Sequence, residues 1–304
     1  MSLYLRARHG KPMHPGGRRL NPVGTGLFIS TLCLVMLAAC GDRLTLIGDG
    51  AFVSVVSQGS LLDNNDVEEL RTNTGLVLET IDLGEDISAE GVAAALEAAG
   101  DGWIAVPAAL KPFLPSGEAG GMTPRVAVLY DRGEPAPGTI SVQVARENAY
   151  REAGEEAFAF ISRFDEPLRL AVVLREPDRP LGDILVDSFL EAGGAPSAVR
   201  SRYIRDDSPR EQLRSAMADL AGTETGVMVL SAGAETGYAM ELVTREGNPV
   251  IVESPPVPDA YADQVLGFIH APLVDLLSAF PEAARSGVAR VEVDAVYVEG
   301  TAVF

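Results

Sequence analysis

Lysine occurs twice in these 304 residues, as Lys11 and Lys111, and cysteine twice, as Cys33 and Cys40. Histidine occurs three times (His9, His14 and His270) and tryptophan once, at Trp103. So sparse a supply excludes several classes of site. Neither a catalytic triad, nor a Cys-His pair, nor a multi-histidine metal site is read from this inventory. Basic residues are scarce as a group, 24 against 43 acidic ones, for a net charge of −19. A chain this acidic will not bind nucleic acid or anionic lipid by general electrostatics.

What basic charge there is lies unevenly. Arg6, Arg8, Lys11, Arg18 and Arg19 precede any acidic residue, and the run Gly26–Ala39 then carries no charge. A basic stretch followed by a short apolar run is the pattern of a secretory signal over residues 1–39, whether translation starts at Met1 or Met13. Its 14 uncharged residues fall short of the roughly 20 that span a bilayer as a helix. Leu37-Ala-Ala-Cys40-Gly41 follows and resembles the lipobox of bacterial lipoproteins, in which the cysteine is diacylated and becomes the new N-terminus. That resemblance implies an exported, acidic lipoprotein held by lipid on Cys40, on the periplasmic side or at the cell surface. Five basic residues leave with the signal and no acidic ones, so the body carries 19 against 43, a net −24. Cys33, His9, His14 and Lys11 leave too. The mature body then has no disulfide and must fold by core burial alone, for which about 265 residues is ample, in two lobes.

Along that body, short apolar runs alternate with helix-period segments. Val126-Ala-Val-Leu, Leu170-Ala-Val-Val-Leu, Val227-Met-Val-Leu and Val250-Ile-Val are continuously apolar, as strands of a parallel sheet covered on both faces are. Ser88 and Gly100 bracket one predicted helix, Pro180 and Gly193-Gly194 another. Ser208-Pro-Arg-Glu211 reads as a capping box. Asp63-Asn-Asn-Asp66 lacks the glycine and final glutamate of a calcium loop and reads as a helix cap, so no metal is expected. The β-α order recurs in two blocks, about 44–130 and 148–253, across a turn-rich connection at 131–138. The tail gives a strand or crossover at Gly267–Pro272, a helix over 272–284, and one alternating edge strand over 288–298.

Three stretches carry a wider resemblance: Ile140–Gly154, Arg169–Leu174 with the helix ending at Gly193-Gly194, and Gly226-Val-Met-Val-Leu-Ser-Ala-Gly233. Together they are similar to the type I periplasmic-binding-protein family of solute receptors and sugar-repressor effector domains. The resemblance implies an α/β fold of two parallel-sheet, Rossmann-like lobes joined by crossover hinges near 131–147 and 254–270. On it, residues 40–140 form the first lobe with 268–286 returning to it, and 141–267 the second with 287–304 returning. The chain departs from the sugar binders in lacking an Asn-Asp pair after Ser231 and in having Arg175-Glu-Pro-Asp178 where a small-residue loop is common.

Ligands of open α/β sheets sit at the carboxyl ends of the strands. That rule selects Asp49, Phe52, Tyr130 and Asp131 from the first lobe, and Arg175, Ser231, Glu235 and Glu253-Ser254 from the second. Asp49 offers a carboxylate, Phe52 a stacking face, and Arg175 a fork for a carboxylate or phosphate, unless nearby acids neutralise it. His270 follows an apolar run and reads as a satisfied core or hinge residue. The expectation is a non-enzymatic, cofactor-free receptor for a sugar, nucleoside or amino acid, serving an ABC-type importer or a sensor. An interaction lipoprotein of the same fold without a working pocket is the alternative, and a hydrolase using paired carboxylates ranks below both.

Overall fold

The structure, a computed structural model, describes residues 43–57, 61–85, 87–115, 125–222, 224–253 and 259–300. Residues 1–39, read above as a signal, together with Cys40 and Ser254, lie outside these residues. No helix among them is long and apolar enough to cross a membrane.

The chain enters at β1 (Arg43–Gly48) and continues through α1 (Gly50–Ser57), α2 (Asn64–Thr74), β2 (Val77–Asp82), α3 (Ala89–Ala99), β3 (Trp103–Pro107), β4 (Val126–Leu129) and β5 (Thr139–Ala145). It crosses once into α4 (Glu147–Ile161), β6 (Arg169–Arg175), α5 (Arg179–Glu191), β7 (Val199–Ile204), α6 (Pro209–Leu220), β8 (Thr225–Ser231), α7 (Thr236–Glu246), β9 (Val250–Glu253) and β10 (Val265–His270). It then returns through α8 (Leu273–Arg285) and β11 (Arg290–Asp294), and ends in β12 (Val296–Glu299). One six-stranded sheet has the order β11-β5-β4-β3-β1-β2, the other β12-β10-β9-β8-β6-β7. All pairings are parallel except that of β12 with β10. This is the two-lobe α/β architecture expected.

Continuous apolar strands follow from two-faced burial. Along β1, Leu44 and Leu46 join the cluster built around α2 and α8, while Ile47 joins a second cluster with Ala95 of α3 on the opposite face. The second sheet is covered by α4 and α5 on one face and by α6 and α7 on the other. Helix ends follow the local chemistry in most places. Asp63 Oδ1 accepts from the Asn65 and Asp66 N–H groups, and Asp66 Oδ2 accepts from the Asp63 N–H, a reciprocal cap. Ser88 Oγ accepts from the Gly91 N–H. Ser208 departs from its expected role: its hydroxyl takes the Gln212 amide at 3.0 Å and caps no backbone, because Gln212 turns back to accept the Arg205 N–H.

The lobe boundaries shift from those expected. β5 lies wholly in the first sheet, so the first crossover is at Ala145–Arg146 and not after residue 140. β10 stays in the second sheet to His270, so the return begins at Ala271 and not at residue 268. The alternating tail is two edge strands, one in each sheet. Buried Ala295 keeps the alternation but belongs to neither strand and makes a third crossover, its N–H donating to the Ala145 carbonyl at 2.7 Å.

Candidate functional site

Where β1 ends, Asp49 Oδ1 accepts the Phe52 N–H at 2.7 Å and fixes the entry to α1. A Cβ on Gly48 would sit 2.5 Å from Phe52 Cδ1, so glycine there lets the ring fold back over the strand end. β4 ends against Tyr130, whose φ of 57° is left-handed and strained for a bulky residue. Burial pushes the Tyr130 hydroxyl pKa up to about 12. The next residue, Asp131, is buried and receives Lys111 Nζ on both oxygens at 2.8 Å. Burial alone would raise its pKa; Lys111, the Gly133 N–H and Ser141 outweigh that and hold the carboxyl below its ordinary value. Lys111 arrives on a 3-10 turn, Ala108–Phe113.

The second lobe contributes a buried charge cluster at the first crossover. Arg146 donates through Nη1 to Glu253 Oε1 at 2.9 Å and through Nη2 to Asp178 Oδ1 at 2.7 Å. The other Glu253 oxygen accepts from Tyr150 Oη and Ser231 Oγ, both at 2.6 Å. Arg132, from the first lobe, reaches Asp178 at 3.1 Å and 3.2 Å. Desolvation would weaken the Arg146 charge, but Glu253 and Asp178 outweigh it and hold the guanidinium protonated. Burial and then the adjacent Glu253 carboxylate raise the Tyr150 pKa, keeping its hydroxyl a donor.

Between the lobes lies a cleft of about 1070 Å³. Phe52, Leu61 and Pro107 wall it on one side, Ser231, Gly233 and Glu253 on the other, and the crossover residues Arg146, Ile269, Ala271 and Ala295 close its floor. Arg132, Gln143 and His270 add polar edges. Of the residues expected at the site, the cleft gathers Phe52, Tyr130, Asp131, Ser231 and Glu253. Three lie elsewhere. Asp49 is spent on capping α1. Arg175 pairs with Asp206, at 3.1 Å to each oxygen, and does not line the cleft. Glu235 pairs with Arg210 at 2.7 Å, also off the cleft. A partner three residues on takes Asp49, and partners 31 and 25 residues away take Arg175 and Glu235, side chains that the strand-end rule alone would send inward. Arg146 and Asp178 were missed. An arginine closing a strand just before a crossover was the available signal for the first; Asp178 read only as a neutralising neighbour of Arg175.

His270 carries its own expectation. Burial lowers its pKa from 6.5, with Asp275 opposing weakly. Folded and unfolded states then bind protons unequally, and the stability due to neutral His270 is whole above about pH 6.5 and is lost as the pH falls from there through the lower pKa of the folded state. The melting temperature should therefore drop on acidification from about pH 7.5 to pH 5.5, and His270→Gln should flatten that drop. An unchanged slope would show that the imidazole is solvated in the cleft.

No protein-family model matches this sequence, and no curated protein matches it. Solved structures do. A transcriptional activator of the comK gene from Bacillus halodurans superposes with a TM-score of 0.60 at 13% identity, covering 86% of this chain and 92% of that one. The fold is that of the type I periplasmic-binding proteins. A periplasmic ribose ABC transporter protein from Conexibacter woesei shares the fold at TM-score 0.52 and 13% identity, over 86% and 93% of the two chains. A LacI-family transcription repressor from Corynebacterium glutamicum does so at 0.52 and 11%, over 86% and 99%. At such identities the likeness to type I periplasmic-binding proteins is one of fold.

Proposed function

We propose that this chain is an exported, lipid-anchored solute-binding protein that captures a small polar ligand between its lobes, for an importer or a sensor. The observation that carries this reading is the cleft itself, formed at the carboxyl ends of both sheets and floored by the three crossovers. Its apolar walls suit the ring faces of a sugar, nucleoside or amino acid, and Arg132, Gln143 and His270 suit their polar edges. Within the charge cluster only Arg132–Asp178 joins the first lobe to the second. With Arg132 half exposed, this pair contributes below about 1 kcal/mol, so hinge opening costs little there while the Arg146 cluster stays whole. The non-enzymatic reading rests on the same pairing: Asp131 is held by Lys111, and Glu253 and Asp178 by Arg146, so these acids serve as structural counter-ions.

A thermal-shift screen over sugars, nucleosides and amino acids is the direct test. A ligand held only by the folded form stabilises by about 2.7 kcal/mol at a hundred times its dissociation constant, a shift of several degrees. No shift with any class would sink the proposal. The self-paired cluster favours one rival, an interaction protein with this fold and no working pocket. Native mass spectrometry of protein purified without refolding separates the two, since the rival carries no bound small molecule.

A further inference from the structure

Two residues, Gly41 and Asp42, separate Cys40 from the first residue of β1. At no more than about 3.6 Å per residue, the tether from cysteine to sheet reaches roughly 10 Å. On the lipid-anchor reading proposed above, so short a leash leaves the body little freedom to turn over. We infer that the N-terminal edge of the first sheet, from Val77 across to Val288, rests against the bilayer, with the cleft opening away from it.

The pairing register shows what that edge presents. Val77 stands beside Arg43, Trp103 beside Leu44, Val126 beside both Ile104 and Thr139, and Ser141 beside Arg290. These are the starts of parallel strands, so they share one end of the lobe. Val77 and Val288 are each 45% exposed there, as much as any large apolar side chain among the described residues. Trp103 is half-buried beneath the Arg285 guanidinium, 5.8 Å from its ring centroid. A tryptophan with one side against the core and the other toward the edge suits an interfacial position. Four cations, Arg43, Arg125, Arg285 and Arg290, stand at this edge. The acids facing them are Glu79, Asp101 and Glu134, in exposed pairs at 3.2–3.9 Å. Such pairs contribute little, so the arginine forks are available to phosphate headgroups. The cleft lies at the other end of the strands, about 20 Å higher for six residues.

Trp103 is the only tryptophan, which makes it a reporter in the unmodified protein. The exported, lipidated full chain is reconstituted into vesicles of phosphatidylethanolamine and phosphatidylglycerol carrying a dansyl-labelled lipid. Trp103 should lose most of its emission by transfer to the dansyl groups. The double variant Trp103→Phe/Phe164→Trp moves the reporter to an exposed position at the far end of the second lobe and should retain its emission. Single-cysteine labels at Val288 and Phe164 give the same contrast without disturbing Trp103, because acylation leaves the mature chain no other thiol. Equal loss from both positions overturns the orientation and leaves the anchor standing. An N-terminal peptide with no acyl group on Cys40 overturns both.

Discussion

Arg146→Met should destabilise the protein by about 3–5 kcal/mol, the cost of leaving Glu253 without its cation and Asp178 with only the half-exposed Arg132. Asp178 is 2% exposed and Glu253 17%, so water cannot take over the arginine's part. The loss should appear as a lower urea midpoint at unchanged m-value. The triple variant Arg146→Met/Asp178→Asn/Glu253→Gln removes the charges together and keeps an acceptor for Tyr150 and Ser231. It should recover much of the loss, because the penalty belongs to uncompensated charge and not to the absence of a favourable pair. A single variant within about 1 kcal/mol of the parent would mean that the cluster is open to solvent, and would remove the structural floor assigned to the cleft.

Phe280→Ala should cost about 3–5 kcal/mol. The ring is fully buried on α8 and meets Trp103 edge-on, with centroids 5.4 Å apart at 86°. Alanine would leave a cavity at the centre of the first lobe's larger cluster, where the returning helix is docked by Leu273, Leu276 and Leu277 as well. Trp103 emission, a probe of that lobe, should shift to longer wavelength and follow the earlier transition in urea. A change below about 1 kcal/mol would show that the return segment does not hold this lobe together.

How far the residues foretold this structure depends on whether the determining physics was local. The parallel strands were readable because two-faced burial demands continuous apolar runs such as Val227-Met-Val-Leu. The caps at Asp63 and Ser88 were readable because their partners lie within three residues. The tail was misread as one strand because alternation over 288–298 is the same whether the residues border one sheet or two. Ala295 alone marks the break, and a single alanine says nothing without the Ala145 carbonyl it meets.

The candidate site shows the same division. That Phe52, Tyr130, Asp131 and Ser231 lie at strand ends follows from topology, and topology was available from the order of the elements. Which polar groups stay inside was not, since each depends on a partner distant in the chain: Lys111 for Asp131, Asp206 for Arg175, Arg210 for Glu235, Glu253 for Arg146. Composition and local periodicity were enough for an acidic α/β body of two lobes. They fix burial, and burial is a property of each segment. The cleft, its paired charges and the third crossover arise only when separate segments are packed together, the ion-paired residues being from 20 to 107 positions apart, because an ion pair is decided by distance in space.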